Sequence, residues 1–168
     1  MPLTHLAPFV RLSKEEYRRQ YEGLGITGDT LETLVDTSLK KEIKDAVQTF
    51  NYQLNSMCNS NGQSPFITLF MYLGETEEYK EELAELIEEF LRQRIEGMPN
   101  ESGVMVTPAF PKIIYCLEED NIHETSKYWY LTELAAKCTS RRLVPDYISF
   151  LLYTSDSDDD LLYVDLGG

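Results

Sequence analysis

The chain has few basic residues, and it has no long apolar run. Lys and Arg total 15 against 29 Asp and Glu, so the formal net charge is -14. A charge of this sign repels phosphate backbones and anionic lipid, and we therefore expect no nucleic-acid partner and no membrane partner. No apolar run approaches the roughly 20 residues that a membrane-spanning helix needs. The first residues also lack the order of regions that a signal peptide requires.

Cysteine is also scarce, with Cys58, Cys116 and Cys138 far apart in the chain and no CxxC or Cys/His spacing. An odd number of distant cysteines is typical of reduced thiols in a cytoplasmic protein, and it argues against a disulfide framework or a metal site. No base lies near Cys58 in sequence, and so a buried small apolar role is favoured over a reactive thiol; the same holds for Cys138. We predict no metal ligands in this segment.

The 168 residues are enough for one compact core. We predict an α/β domain over residues 1–150 and an acidic tail over residues 151–168. The tail, LLYTSDSDDDLLYVDLGG, departs from the preceding pattern with a Ser/Asp run. It resembles peptides that arise when sequencing-adapter DNA is translated, and we interpret it as non-native or disordered.

Helical and strand patterns alternate along the domain. Helices are predicted from Ser13 to Gly23, from Asp29 or Thr30 to about Met57 with a break near Thr37–Ser38, over Glu75–Gly97 and over Ser126–Ser140; strands are predicted over Phe66–Tyr72, over Lys112–Leu117 and within LVPDYISFLL. Ser13 is expected to cap the first helix. The alternation indicates parallel strands joined by right-handed crossovers, and hence an α/β layer or part of an α/β barrel.

Three local motifs suggest chemistry but favour a simpler interpretation. GLGITG, residues 23–28, matches GxGxxG, yet a helical pattern precedes it where a dinucleotide site needs a strand, so a helix-to-helix turn is favoured. His123 begins HETSK, which lacks the second histidine of a zinc-protease motif. The acidic run Glu118, Glu119 and Asp120 has the side chains for a hard cation, but a solvated loop after a strand is more common.

Four longer segments together carry a family resemblance. In chain order they are FNYQLNSMCNSNGQSPFITLFMYLG, LRQRIEGM, PAFPKIIYCLEEDN and LTELAAKCTSRRLVPDYIS. They resemble the anaerobic, class III, ribonucleoside-triphosphate reductases, a glycyl-radical enzyme family, over about Leu6 to Ser149. Three motifs are specific for the family only in combination: GQSPF, FPK and the pattern with Arg142, Pro145 and Asp146. At Ser64, within GQSPF, the family usually has Thr.

The resemblance implies an oxidoreductase that converts ribonucleoside triphosphates to deoxyribonucleoside triphosphates for DNA synthesis. In the family, a radical S-adenosylmethionine activase installs a glycyl radical, a cysteine thiyl radical attacks the substrate, and formate commonly supplies electrons. Structural zinc, ATP and dNTP effectors and a homodimer are also implied. The implied fold is a ten-stranded α/β barrel, of which this chain would supply about three strands.

The family's catalytic groups lie outside this segment. The first active-site cysteine is upstream, whereas the thiyl-radical cysteine, the four-cysteine zinc site and the glycyl-radical loop are downstream. None of Cys58, Cys116 or Cys138 matches a catalytic position. We therefore expect no catalytic residue, no bound cofactor and no activity in this polypeptide alone.

The GQSPF segment supplies the candidate substrate contacts. Because alternate side chains of a barrel strand point inward, one of two sets lines the cavity. The sets are Gln63, Pro65, Ile67 and Leu69, or Ser64, Phe66, Thr68 and Phe70. The second set has polar members suited to a ribose, and the candidate substrate-binding residues are Gln63, Ser64, Phe66 and Thr68. Barrel packing explains the same residues about as well.

Two other functions remain open. The chain could be an acidic α/β protein-interaction domain without catalysis, whose Tyr128, Trp129 and Tyr130 and LLYVDL segment bind a partner. It could also be another glycyl-radical enzyme, such as a formate-lyase relative, although that class should not share GQSPF with FPK at this spacing.

Overall fold

The fold was described from a computed structural model, which defines residues 2–57, 62, 65–100 and 102–149. The helices and strands in these ranges are α1 (Ala7–Gly23), α2 (Gly28–Ser56), β1 (Thr68–Met71), α3 (Lys80–Glu96), β2 (Met98–Pro99), β3 (Met105–Val106), β4 (Lys112–Leu117), α4 (Glu119–Ile122), α5 (Trp129–Arg142) and β5 (Asp146–Ser149). Short 3-10 turns lie at Leu3–His5 and Leu73–Glu75. The predicted tail, residues 151–168, lies outside the described residues, as do Cys58, Gln63 and Ser64.

The main sheet has the strand order β1-β4-β5, and both pairings are parallel. Phe70 lies opposite Ile114, and Cys116 lies opposite Ile148. The predicted α/β class with parallel strands is confirmed, and the sheet is compatible with part of an α/β barrel.

A small antiparallel hairpin of β2 and β3 lies between α3 and β4, where the sequence pattern predicts neither a helix nor a strand. The Asn100 side-chain oxygen accepts the amides of Ser102 and Val104 at 3.0 and 2.9 Å, and this closes the turn. Strands of two residues are too short to give a periodic pattern, which explains why the sequence did not predict the hairpin.

The sheet has one covered face and one open face. Leu69 and Met71 of β1 and Ile113 and Tyr115 of β4 are buried in the main hydrophobic cluster with side chains from α1, α2, α3 and α5. The alternate residues point the other way, and Phe70 there is 39% exposed. Burying one face against helices is what an α/β layer requires.

Two details of the first helices differ from the prediction. Helix α1 begins at Ala7, and Ser13 lies inside it, where its hydroxyl donates to Glu42 of α2 at 2.7 Å. Ala7 and Val10 are buried, so tertiary packing extends the helix toward the N-terminus. Helix α2 is continuous through the predicted break, and the Thr37 hydroxyl is satisfied within it by donating to the carbonyl of Thr33 at 2.7 Å.

Later boundaries shift as well. Helix α3 begins at Lys80, five residues after the predicted start, because the 3-10 turn Leu73–Glu75 follows β1. Helix α5 spans Trp129–Arg142 instead of Ser126–Ser140. GLGITG is the turn between α1 and α2, as predicted. Among the described helices, none is long and apolar enough to cross a membrane.

Candidate functional site

The open face of the sheet is the surface that could line a cavity. In register, Thr68 lies opposite Lys112, Phe70 opposite Ile114, Ile114 opposite Asp146, and Cys116 opposite Ile148, and all of these residues alternate onto the open face. Phe70 and Ile148 are 39% and 40% exposed. Leu69 and Met71, the neighbours of Phe70 on the covered face, are fully buried, whereas all four residues of the edge strand β5 are exposed. The face is therefore apolar at Phe70, Ile114, Cys116 and Ile148 and polar where the strands begin, at Thr68, Lys112 and Asp146.

The structure places two of the four candidate substrate-binding residues. Phe66 is 80% exposed, and its ring lies edge-on to Phe110 with 4.9 Å between centroids. Thr68 is half-buried opposite Lys112 of β4. Gln63 and Ser64 lie outside the described residues. Substrate contact by these four residues stays a prediction.

Burial separates the two alternating sets that the sequence left open. Leu69 is fully buried in the main core, and Ile67 packs against that core. Thr68 and Phe70 consequently belong to the open face. Of the set with Ser64, Phe66, Thr68 and Phe70, the two residues within β1, Thr68 and Phe70, are in phase with a cavity on that side.

The carboxyl edge of the sheet carries a cross-strand contact that sequence reasoning missed. Glu118, directly after β4, accepts the backbone amides of Leu73 and Gly74, directly after β1, at 2.9 Å each. Burial raises the pKa of the Glu118 carboxyl, while these two hydrogen bonds oppose the shift. Glu118 is therefore not part of a solvated loop, which corrects the interpretation of its acidic run.

The side chain of Asn121 holds the backbone at the end of β4 through two hydrogen bonds. Its side-chain oxygen accepts the Glu118 amide, and its side-chain nitrogen donates to the Cys116 carbonyl, both at 2.9 Å. Asn121 is fully buried, and with Glu118 it forms the capping box of α4. The sequence did contain a signal for this capping box, because the acceptor Glu118 is followed three residues later by Asn121, whose side chain can bind the Glu118 amide.

Two arginines, Arg94 and Arg142, bind backbone carbonyls near the amino edge of the sheet, and these contacts involve residues of the motifs that carry the family resemblance. Arg94 is 5% exposed and donates to the carbonyls of Pro108 and Pro111 at 2.7 and 2.5 Å. Burial lowers the pKa of this guanidinium. Arg142 donates to the carbonyls of Ile95 and Glu96 at 3.0 and 2.6 Å, which satisfies the end of α3. Pro111 of the FPK motif and Arg142 therefore both take part in hydrogen bonds that stabilise the fold of this segment.

The two described cysteines are free and buried. Burial raises the pKa of the Cys116 thiol to about 12. Burial also raises the pKa of Cys138, against the opposing effect of Arg94 and Arg142. The buried role predicted for Cys138 is confirmed, and Cys116 is buried too; neither is an activated thiol. Over the described ranges, no group of three or more His, Cys, Asp or Glu side chains is arranged to hold a metal ion.

Comparison with known proteins gives a consistent result. Residues 2–164 match the family model described as "Anaerobic ribonucleoside-triphosphate reductase". The reductase of that name from Enterobacteria phage T4 is 30% identical over 145 residues, which cover 86% of this chain and 22% of that protein. The one from Escherichia coli (strain K12) is 32% identical over 147 residues, covering 86% and 19%. The chain spans about a fifth of the length of these curated relatives.

Proposed function

Because the chain belongs to the anaerobic ribonucleoside-triphosphate reductase family, we propose that it is a segment of an enzyme that reduces ribonucleoside triphosphates to deoxyribonucleoside triphosphates. The chemistry would use glycyl and thiyl radicals and would supply precursors for DNA synthesis. The observation that carries the proposal is the family match over residues 2–164. The one-sided parallel sheet supports it, since a barrel segment needs this arrangement.

In this proposal the segment contributes three adjacent strands, β1, β4 and β5, to a ten-stranded barrel. The helices cover its outside, and the open face with Phe70, Ile114 and Ile148 faces the interior. The remaining barrel, contributed by the rest of the protein, would bury these apolar side chains.

The substrate contacts proposed for this segment are Gln63, Ser64, Phe66 and Thr68. Phe66 offers an exposed ring and Thr68 a hydroxyl on the same side of the sheet. In the full-length enzyme, Thr68→Val should raise KM for the ribonucleoside triphosphate at least several-fold. Thr33→Val, on the exposed side of α2, should leave KM unchanged and serves as the control. Equal KM values for the two variants would contradict a substrate role for Thr68.

Partners and cofactors belong to the proposed whole enzyme. They are a radical S-adenosylmethionine activase, a second copy of the protein in a homodimer, a glycyl radical, structural zinc and ATP or dNTP effectors. The proposed location is the cytoplasm. We propose that residues 1–168 alone are inactive, since no cysteine among them matches a catalytic position.

A protein-interaction domain remains the second candidate, because the exposed ring of Phe66 and the exposed Tyr130 would also suit a docking surface. Long-read sequencing of the gene through the codons for Ser149 to Gly168 separates the two functions. A reductase requires an open frame on both sides that encodes the remaining barrel and the glycyl-radical loop. A genuine stop codon after Gly168, with no reductase sequence upstream, would support the interaction domain and overturn the proposed enzyme.

A further inference from the structure

Two parallel strands end side by side at the carboxyl edge of the sheet, and one carboxylate joins them. Met71, at the end of β1, lies opposite Tyr115, so the residues that follow each strand are neighbours. Both oxygens of Glu118 are used, one by the Leu73 amide and one by the Gly74 amide, and the carboxylate also accepts the Asn121 amide in the capping box of α4. Adjacent amides that share a carboxylate form a charge-assisted pair of hydrogen bonds.

The contact depends on glycine at position 74. A Cβ there would lie 2.4 Å from Glu118 Oε1 and 3.1 Å from a ring carbon of Tyr72. Real Cβ atoms do not approach other atoms to 2.4 Å, so any side chain at this position would displace the carboxylate. Gly74 is therefore the residue that lets Glu118 reach the backbone.

Tyr72 connects this contact to the open face. Its backbone is extended and continues β1, so its side chain alternates with Met71 and points to the open side. The Tyr72 ring and the Glu118 carboxylate both border Gly74, and Tyr72 directly precedes the two amides that the carboxylate binds. The position of Tyr72 is therefore tied to the carboxylate across the strand.

The charges around Glu118 are mixed. Lys80 of α3 favours the ionised carboxylate and Asp120 of α4 opposes it, and Lys80 also binds Asp120 directly at 2.6 Å. Burial, and then the charges of Glu118 and of Glu75 in the 3-10 turn, raise the pKa of the Cys116 thiol in β4. Burial is the largest influence on Glu118, and it favours the neutral form.

We propose that Glu118 is a positioning residue, whose carboxylate holds the Leu73 and Gly74 amides and thereby fixes Tyr72 at the border of the open face. The inference rests on the proposed function only in taking this face as the cavity side. Protonation leaves the carboxyl with one good acceptor, so one of the two amides loses its partner and the segment loosens. The edge of the face is then coupled to pH.

The test is a pH titration of the full chain, labelled with 15N-leucine and 15N-glycine, followed by amide proton shifts in NMR spectra. The Leu73 and Gly74 amides should titrate together, with a midpoint above the value of about 4.3 for an unperturbed glutamate. Glu118→Gln should abolish this shared titration. Gly74→Ala should also abolish it, whereas Gly23→Ala should retain it, since a Cβ at Gly23 meets no atom within 4 Å.

The wild-type titration decides the matter even where a variant fails to fold. Leu73 and Gly74 amides that do not move with pH, or that move with unrelated midpoints, would overturn the proposal. Retention of the shared titration in folded Glu118→Gln would do the same. Either result concerns this edge alone and leaves the radical chemistry of the full-length enzyme as a separate question.

Discussion

Ile113 and Ile114 are consecutive residues of β4, yet Ile113 is 2% exposed in the main core and Ile114 lies half-buried on the opposite face. Two residues of the same type therefore have different surroundings, because Ile113 packs against helices and Ile114 lies on the open face. This contrast follows from the alternation of a strand, and it makes the two residues a matched pair for testing which face is covered.

Ile113→Ala should destabilise the chain by about 2–5 kcal/mol, because it leaves a cavity among packed side chains. Ile114→Ala should cost clearly less in residues 1–168. Urea denaturation with an unchanged m-value measures both. In the full-length protein the cost of Ile114→Ala should rise toward that of Ile113→Ala, since the rest of the barrel would cover it. Equal costs in the isolated chain would contradict the open face.

The buried guanidinium of Arg94 gives a second prediction. Arg94→Met removes the donors that satisfy the Pro108 and Pro111 carbonyls, and each unsatisfied buried acceptor costs about 1–3 kcal/mol. We expect a loss of about 2–4 kcal/mol in the free energy of unfolding. Arg92→Met is the control, because Arg92 forms an exposed pair with Glu88 on the same helix that is worth about 0.5 kcal/mol or less. A loss for Arg94→Met no larger than that for Arg92→Met would contradict the stabilising role of the Arg94 contacts.

Glu118 should make stability depend on pH in a defined direction. Burial raises its pKa above the unfolded value, so the folded state binds the proton more tightly and loses stability as pH rises through that window. Glu118→Gln lacks this group. The stability of the wild type relative to Glu118→Gln should therefore fall as the pH is raised from about 4 to about 7.

Thermal or urea unfolding of both proteins at several pH values measures this difference. Changes in other carboxylates cancel between the two proteins, because only position 118 differs. A difference that grows with pH would mean that the Leu73 and Gly74 hydrogen bonds outweigh burial and lower the pKa.

Thiol labelling tests the burial of the cysteines. Native protein at pH 8 should leave Cys116 and Cys138 unmodified by iodoacetamide, since both are buried and the pKa of Cys116 is about 12. Both should react after denaturation in urea. Mass spectrometry of the peptides gives the labelled fraction, and rapid native labelling of Cys116 would contradict the fold at β4.

Much of the fold could be predicted because its signals are local. The strand predicted at about Lys112 to Leu117 is confirmed, since Pro111 precedes an apolar run that an acidic run ends. Helix α4 was missed because four residues are too few to show a period. The start of α1 was missed because burial of Ala7 and Val10, and not a capping signal at Ser13, decides where it begins.

In the candidate site, too, local sequence patterns predict some features, whereas contacts between distant residues decide the others. A period of two gives two alternating sets of residues in β1, but only the packing of Leu69 against helices decides which set faces them. The Glu118 contact joins residues 44 and 45 positions apart, so no local pattern could reveal it. Family motifs such as FPK were visible in sequence, while their contacts with Arg94 were not.

The measurement that tests the proposed function most directly is an anaerobic assay of the full-length protein encoded by this gene, activated by its radical S-adenosylmethionine partner. We predict a glycyl-radical signal in electron paramagnetic resonance and conversion of ribonucleoside triphosphate to deoxyribonucleoside triphosphate with formate as reductant. Residues 1–168 alone should give neither. A full-length protein that carries the radical but forms no deoxynucleotide would contradict the proposed function.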